Sequence, residues 1–213
     1  MKAKLLAATA ALLTTGNAYA SLVTFSTPIN VPNNLNGVYI NLLTGASAVS
    51  PADVPGWDFN PYGRSSTPTL AFFWNGVPGP SGGVASATTG PYLNLSPGTV
   101  ISSASIFSSS ALAAPTAAFQ SSGTHNLGFR FFNESTSAVN FGYLTMTTNG
   151  PTGFPATVNG WTFENSGGAI TVPDAVSAIP EPATWAMMML GFGFMGAAMR
   201  RTRATTLRVR YAP

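Results

Sequence analysis

The feature that most constrains this chain is alternation with period two. In "NLGFRFF", Leu127, Phe129 and Phe131 fall on one parity, and Gly128 and Arg130 fall on the other. Val139, Phe141 and Tyr143 do the same in "AVNFGYLTMTT", and Trp161 and Phe163 in "ATVNGWTFEN". Successive side chains of an extended strand face opposite sides, so this pattern specifies strands with a buried face and not a helical stripe. "GVYINLL", "TLAFFW", "TVISSASIF" and "AITV" are further strand candidates, and turn-rich pieces such as "NESTS", "NGPTGFP" and "ENSGG" punctuate them. Short strands at a spacing of roughly 8–12 residues predict a mainly β fold, a single β-sandwich or jelly-roll-like ectodomain over 21–172. Its last part reads as a meander with strands near 126–132, 138–148, 156–163 and 169–172. Pro28, Pro32, Pro51 and Pro55 make the first part looser. "SSASIFSSSALAAPTAAFQSS" is low in complexity and reads as a strand plus a long loop, with hydroxyls open to glycosylation.

Charge is scarce and unevenly placed. Only 7% of the 213 residues are charged, against about 25% in an average soluble protein. Between Ser21 and Ile179 the bases are Arg64 and Arg130, and the acids are Asp53, Asp58, Glu134, Glu164 and Asp174, a net −3. The overall +3 therefore belongs to the two ends, not to a basic face of the kind nucleic acid requires. There is no cysteine, which excludes disulfides, thiolate metal sites and cysteine nucleophiles.

The first 20 residues, "MKAKLLAATAALLTTGNAYA", join two lysines, a short apolar run and Ala18-Tyr19-Ala20. A positive start, a short apolar core and a small-x-small site make a secretory signal peptide. Signal peptidase would cut after Ala20 and leave Ser21 as the first residue of an exported chain.

Near the other end, Ala183 to Met199 is 17 residues without charge. As a helix it would reach about 25 Å, short for a hydrocarbon core of ~30 Å. Trp185 suits a membrane interface, and the arginines beyond would stay cytoplasmic. Gly193 and Ala197 have the small-xxx-small spacing of close helix pairs, which a marginal helix equally tolerates. Just before it lie Pro180, Glu181 and Pro182, where two prolines hold the backbone extended and accessible to a protease. This order of Pro-Glu-Pro, short apolar helix and basic stop at Arg200, Arg201 and Arg203 resembles the PEP-CTERM sorting signal of Gram-negative bacteria. The resemblance covers about 25 residues, here 180–203 after a linker at 173–179. It implies processing by an exosortase, a membrane-embedded cysteine-dependent enzyme that cuts near the motif. It also implies a temporary inner-membrane anchor, then release to the cell surface or extracellular matrix. The strand pattern before the motif is similar to the end of many ectodomains of this family. Family members usually stop soon after the arginines, whereas this chain continues through a basic tail, 204–213.

Groups suited to catalysis are sparse. His125 is the sole histidine, and no Gly-x-Ser-x-Gly elbow accompanies it. Paired-carboxylate hydrolysis would need two of the five ectodomain acids to converge, and most of these sit in turn sequence. Asp58 and Asn60 offer oxygens to calcium, without the acid density of a calcium loop. Trp57, Trp74 and Trp161, with Tyr62, are either core residues or aromatics that stack on sugar rings. The expectation is a non-enzymatic exported surface or matrix protein without cofactor or metal. Exopolysaccharide or other cell-envelope glycan is its candidate ligand. The alternatives are a secreted, glycosidase-like hydrolase and a permanently membrane-anchored β domain.

Overall fold

A computed structural model describes residues 21–64, 69–109 and 116–174, together with Met189 and Phe192. The chain divides into two compact units, Met1–Asp174 and Ala175–Pro213. All strands described below lie in the first unit. In chain order they are β1 (Leu22–Phe25), β2 (Ile29–Val31), β3 (Tyr39–Ile40), β4 (Ser47–Ala48), β5 (Phe59–Arg64), β6 (Thr69–Trp74) and β7 (Gly82–Val84). There follow β8 (Val100–Ile101), β9 (Phe107–Ser108), β10 (Gly123–Asn133), β11 (Ala138–Thr148), β12 (Ala156–Glu164) and β13 (Ile170–Thr171). The described structure is mainly β, and every strand pair is antiparallel.

The largest sheet has the order β1-β12-β11-β10-β7-β9, with β2 also paired to β12. Its centre is the hairpin β10–β11, in register along the whole of both strands from Gly123↔Thr148 to Asn133↔Ala138. The Asn133 side-chain oxygen accepts the Ser135 and Thr136 N–H groups at 3.0 and 3.2 Å, which closes the turn between them. β1 and β2 share the outer edge of β12, pairing with Trp161–Glu164 and Ala156–Val158 respectively. Pro28 and Pro32 flank β2, where a residue without an N–H is tolerated at a strand's ends. A second sheet has the order β4-β3-β5-β6, and β8 pairs with β13 in a third, two-stranded one.

Alternation decides which faces meet. Leu127, Phe129 and Phe131 of β10, Leu144 and Met146 of β11, and Trp161 and Phe163 of β12 point into one core. Ile40, Phe59, Leu70, Phe72 and Trp74 enter the same core from the four-stranded sheet. The rings meet at angles, as at Phe131–Phe163 (5.0 Å, 82°) and Phe72–Phe119 (5.2 Å, 73°), a geometry aromatic quadrupoles favour. The opposite face of the large sheet carries a second cluster, in which Phe141 of β11 meets Phe107, Ile101, Ile170 and Val172. Gly128 lets that layer approach, since a Cβ there would lie 2.6 Å from Leu95 Cδ1.

Two strand expectations are corrected. "TVISSASIF" is not one strand: β8 and β9 are separate pairs of residues that join different sheets. Its serines break the ladder, because Ser105 Oγ accepts the Ser102 N–H at 3.1 Å and Ser102 O accepts the Ser105 N–H at 3.0 Å. In "GVYINLL" only Tyr39–Ile40 is strand. Asn41 ends it by accepting the Leu43 and Thr44 N–H groups at 3.0 and 2.8 Å.

Gly142 faces Phe129 in the register, and a Cβ on it would lie 2.3 Å from Phe129 Cζ and 2.6 Å from Thr162 O. Gly142→Ala is expected to cost about 1–3 kcal/mol in urea unfolding through overpacking. Gly76→Ala, where nothing lies within 4 Å, is expected to stay within about 0.5 kcal/mol.

Candidate functional site

The residues of the sorting segment, Pro180, Glu181, Pro182, Arg200, Arg201 and Arg203, lie outside the described residues, as do Ala18 and Ala20. The same holds for the helix expected over 183–199, apart from Met189 and Phe192, which are helical and exposed. Among the described residues no helix is long and apolar enough to cross a membrane. Ser21 is described: it is exposed, and its carbonyl accepts the Asn165 N–H at 2.9 Å.

Within the β unit, His125 is built into the core wall. Its Nε2 lies 3.1 Å from the Ser121 carbonyl, which can only accept, so the proton sits on Nε2. Nδ1 then accepts from the Asn94 side-chain amide at 3.1 Å. Both ring nitrogens are thus occupied by structural partners, and the imidazole packs edge-on to Phe119 at 5.5 Å.

Two of the acids are buried. Glu164 accepts the Ser166 N–H at 2.9 Å and also the Gly168 N–H. Although burial acts to raise its pKa, hydrogen bonds from Ser166, Gly168 and Ser21 outweigh it and hold the carboxyl below the ordinary value. Asp58 closes the loop that leads into β5. Its Oδ2 accepts the Leu42 N–H at 2.8 Å, while the Asn41 amide beside it donates to Pro55 O and Gly56 O at 3.0 and 2.8 Å. Burial pushes the Asp58 carboxyl up from 3.8 to about 7; the Leu42 N–H opposes this, and the Glu134 charge adds to it. Glu134 reaches this loop from the β10–β11 turn, 3.4 Å from where a Gly56 Cβ would be. The fold therefore brings Asp58 and Glu134 into one neighbourhood, with Asp58 turned inward to Leu42. Among the described residues, no group of three or more His, Asp or Glu side chains could hold a metal ion.

The tryptophans separate. Trp74 and Trp161 are 2% and 3% exposed and belong to the core, so neither faces a ligand. The reason is parity for Trp74, which follows Phe72 inward on β6, and a hydrogen bond for Trp161, whose Nε1–H donates to Leu42 O at 2.9 Å. Trp57 is half-buried and lies on the outer face of the four-stranded sheet. There Tyr39 meets it edge-on at 4.9 Å and Phe73, 47% exposed, at 5.8 Å. With Tyr62, Asn60 and Leu35 they line a shallow cleft of about 220 Å³. Sequence reasoning named Trp57 and Tyr62 but missed Tyr39 and Phe73. The available signal was "AFFW" in β6, whose aromatics occupy both parities, so one of them must face outward.

The raised Asp58 pKa has a stability consequence. The native chain holds this proton to higher pH than the unfolded chain. The associated stabilisation is therefore complete below the ordinary carboxyl value and lost as pH rises through about 7. Thermal melts across this range should show wild type falling relative to Asp58→Asn, while Glu134→Gln moves the fall to lower pH.

Residues 178–203 match the family model of the PEP-CTERM protein-sorting motif. No curated protein and no solved structure matches the chain. The motif implies exosortase-dependent export, with membrane-associated sorting and the exosortase as processing partner. Residues 178–203 thus carry a PEP-CTERM protein-sorting motif, and an antiparallel β unit precedes it in the chain.

Proposed function

We propose that this chain is a non-enzymatic exported surface or extracellular-matrix protein, whose β unit is the cargo and whose C-terminal segment is the address. The match of residues 178–203 to the sorting motif carries this reading. Signal peptidase removes residues 1–20, the segment 183–199 anchors the chain in the inner membrane for a time, and exosortase then processes it near Pro180-Glu181-Pro182. The ordering of acids and histidine inside the β unit supports a structural role for them: Asp58, Glu164 and His125 each hold backbone or amide groups that close the fold.

The ligand class of the β unit is exopolysaccharide or other cell-envelope glycan, bound at the cleft of Tyr39, Trp57, Tyr62 and Phe73. Sugar rings present apolar C–H faces, which lie well on exposed aromatic rings, and the tyrosine hydroxyls supply polar ends. The Trp57 ring is held between Tyr39 and Phe73, so little order is lost when a sugar stacks on the patch.

The sorting claim is tested by intact mass of the exported protein in its host, with and without exosortase. Wild type is expected to lose residues 1–20 and the C-terminal apolar segment, and the deficient strain to keep the latter. If both strains retain Ala183–Met199, the permanently anchored reading replaces this one. The glycan claim is tested by affinity electrophoresis in gels containing the host's exopolysaccharide. Phe73→Ser and Trp57→Ala should each weaken retention about tenfold, or roughly 1.4 kcal/mol, whereas Val49→Ser on exposed surface leaves it unchanged. Equal mobility of all these proteins would remove the cleft from consideration.

A further inference from the structure

The start of the described chain sits on a buried negative charge. Glu164 ends β12 and is 1% exposed, and its carboxylate accepts the N–H groups of Ser166 and Gly168, while the nearby Ser21 N–H also favours its charged form. The register places Leu22 directly opposite Glu164, and Asn165 N–H donates to Ser21 O at 2.9 Å, so residue 21 is held through its carbonyl beside the end of β12. Among the described residues, the groups that set the ionisation of this carboxylate include no cation. On β11 the facing residue is Phe141, on β1 it is Leu22, and the following turn contributes only Ser166 and Gly168. The nearest cation along the register is Arg130 of β10, beyond Phe141, and its guanidinium lies 4.8 Å from the Phe107 ring centroid.

The small-x-small site Ala18-Tyr19-Ala20 predicts cleavage of the bond immediately before this residue. Hydrolysis adds the water's hydroxyl to the Ala20 carbonyl and its hydrogen to the Ser21 nitrogen, which then takes up a proton. A neutral amide with one N–H becomes an ammonium with three, at a residue held beside Glu164 by the strand register and its own carbonyl.

We propose that the Glu164 carboxylate is the receptor for the new Ser21 α-ammonium, so that removal of the leader replaces a neutral N–H with a cation whose ion pair locks β1 onto β12. The leader's removal then matures the domain as well as freeing it: the edge of the large sheet is secured only after export. This rests on the export reading above. A buried carboxylate with good hydrogen bonds gains most from a partner that costs little new desolvation, and an ammonium held at the surface edge of the site meets that condition.

The sign of the pH dependence is specific. The ordinary α-amino pKa is about 7.7–8.0, and pairing raises it in the folded chain. The stabilisation is therefore full below about 8 and lost as pH rises through the raised value. Glu164, whose carboxyl is held low, sets the acid limit of the same ion pair.

The test uses the processed protein purified from its host. Intact mass first locates the N-terminus; a start other than Ser21 overturns both the cleavage assignment and this inference. With Ser21 confirmed, the rate of α-amine acetylation is measured against pH. It should be about sevenfold slower near pH 7.5 than for an unfolded peptide beginning at Ser21, corresponding to a rise of about one pKa unit. A variant with Gly-Ser inserted between Ala20 and Ser21 keeps the cleavage site but moves the ammonium away. It should melt below wild type at neutral pH and converge with it above about pH 10, as the amine loses its proton. Glu164→Gln should restore an ordinary labelling rate. An ordinary α-amine rate in wild type, or a melting difference independent of pH, overturns the ion pair while leaving the export reading intact.

Discussion

Everything in the described β unit depends on one layer of rings and branched chains shared by two sheets. Phe129, Phe131 and Phe163 from the large sheet interleave with Phe59, Phe72 and Trp74 from the smaller one. Each such side chain, fully buried, contributes about 1.5–3 kcal/mol relative to exposure. Each sheet has one face that water would not tolerate alone. The four-stranded sheet is built from short pieces, two of them only two residues long, and it has meaning only as the lid of this layer. Trp161 joins the two halves in a second way, since its indole N–H ends on Leu42 O across the core while Phe25 stacks on its ring at 4.9 Å.

The remaining order comes from buried polar groups that are satisfied locally. Asn41, Asn60, Asn133, Asp58 and Glu164 are all largely buried, and each bonds backbone groups that no strand ladder uses. A buried amide or carboxylate left unpaired would cost about 1–3 kcal/mol or more. Such residues therefore specify loop conformations in a chain too poor in charge to use surface ion pairs. This also explains why Asp58 and Glu164 are turned inward to hold turns. The aromatic cleft is the converse case: rings placed on the outer parity of the smaller sheet, with no protein layer described over Phe73.

The long strands were legible because their alternation is uninterrupted. β10, β11 and β12 fall within a few residues of the expected 126–132, 138–148 and 156–163. The short strands were not, because two residues carry no period. "TVISSASIF" looks continuous until its serines bond one another's backbone, and β1 and β2 are strands because β12 offers them an edge. Trp57 and Tyr62 were identified as stacking candidates, whereas Tyr39 and Phe73 join them only because β3, β5 and β6 lie side by side.

The sequence by itself determined the address and the class of fold. Pro180-Glu181-Pro182 and its flanks are read as a linear motif, and period-two alternation selects strands through local geometry alone. Tertiary structure decided which tryptophans are core, which acids are buried, and that Leu22 lies opposite Glu164 across the sheet. Those are facts of residues far apart in the chain, and only strand pairing and the packing of one sheet on another bring them together.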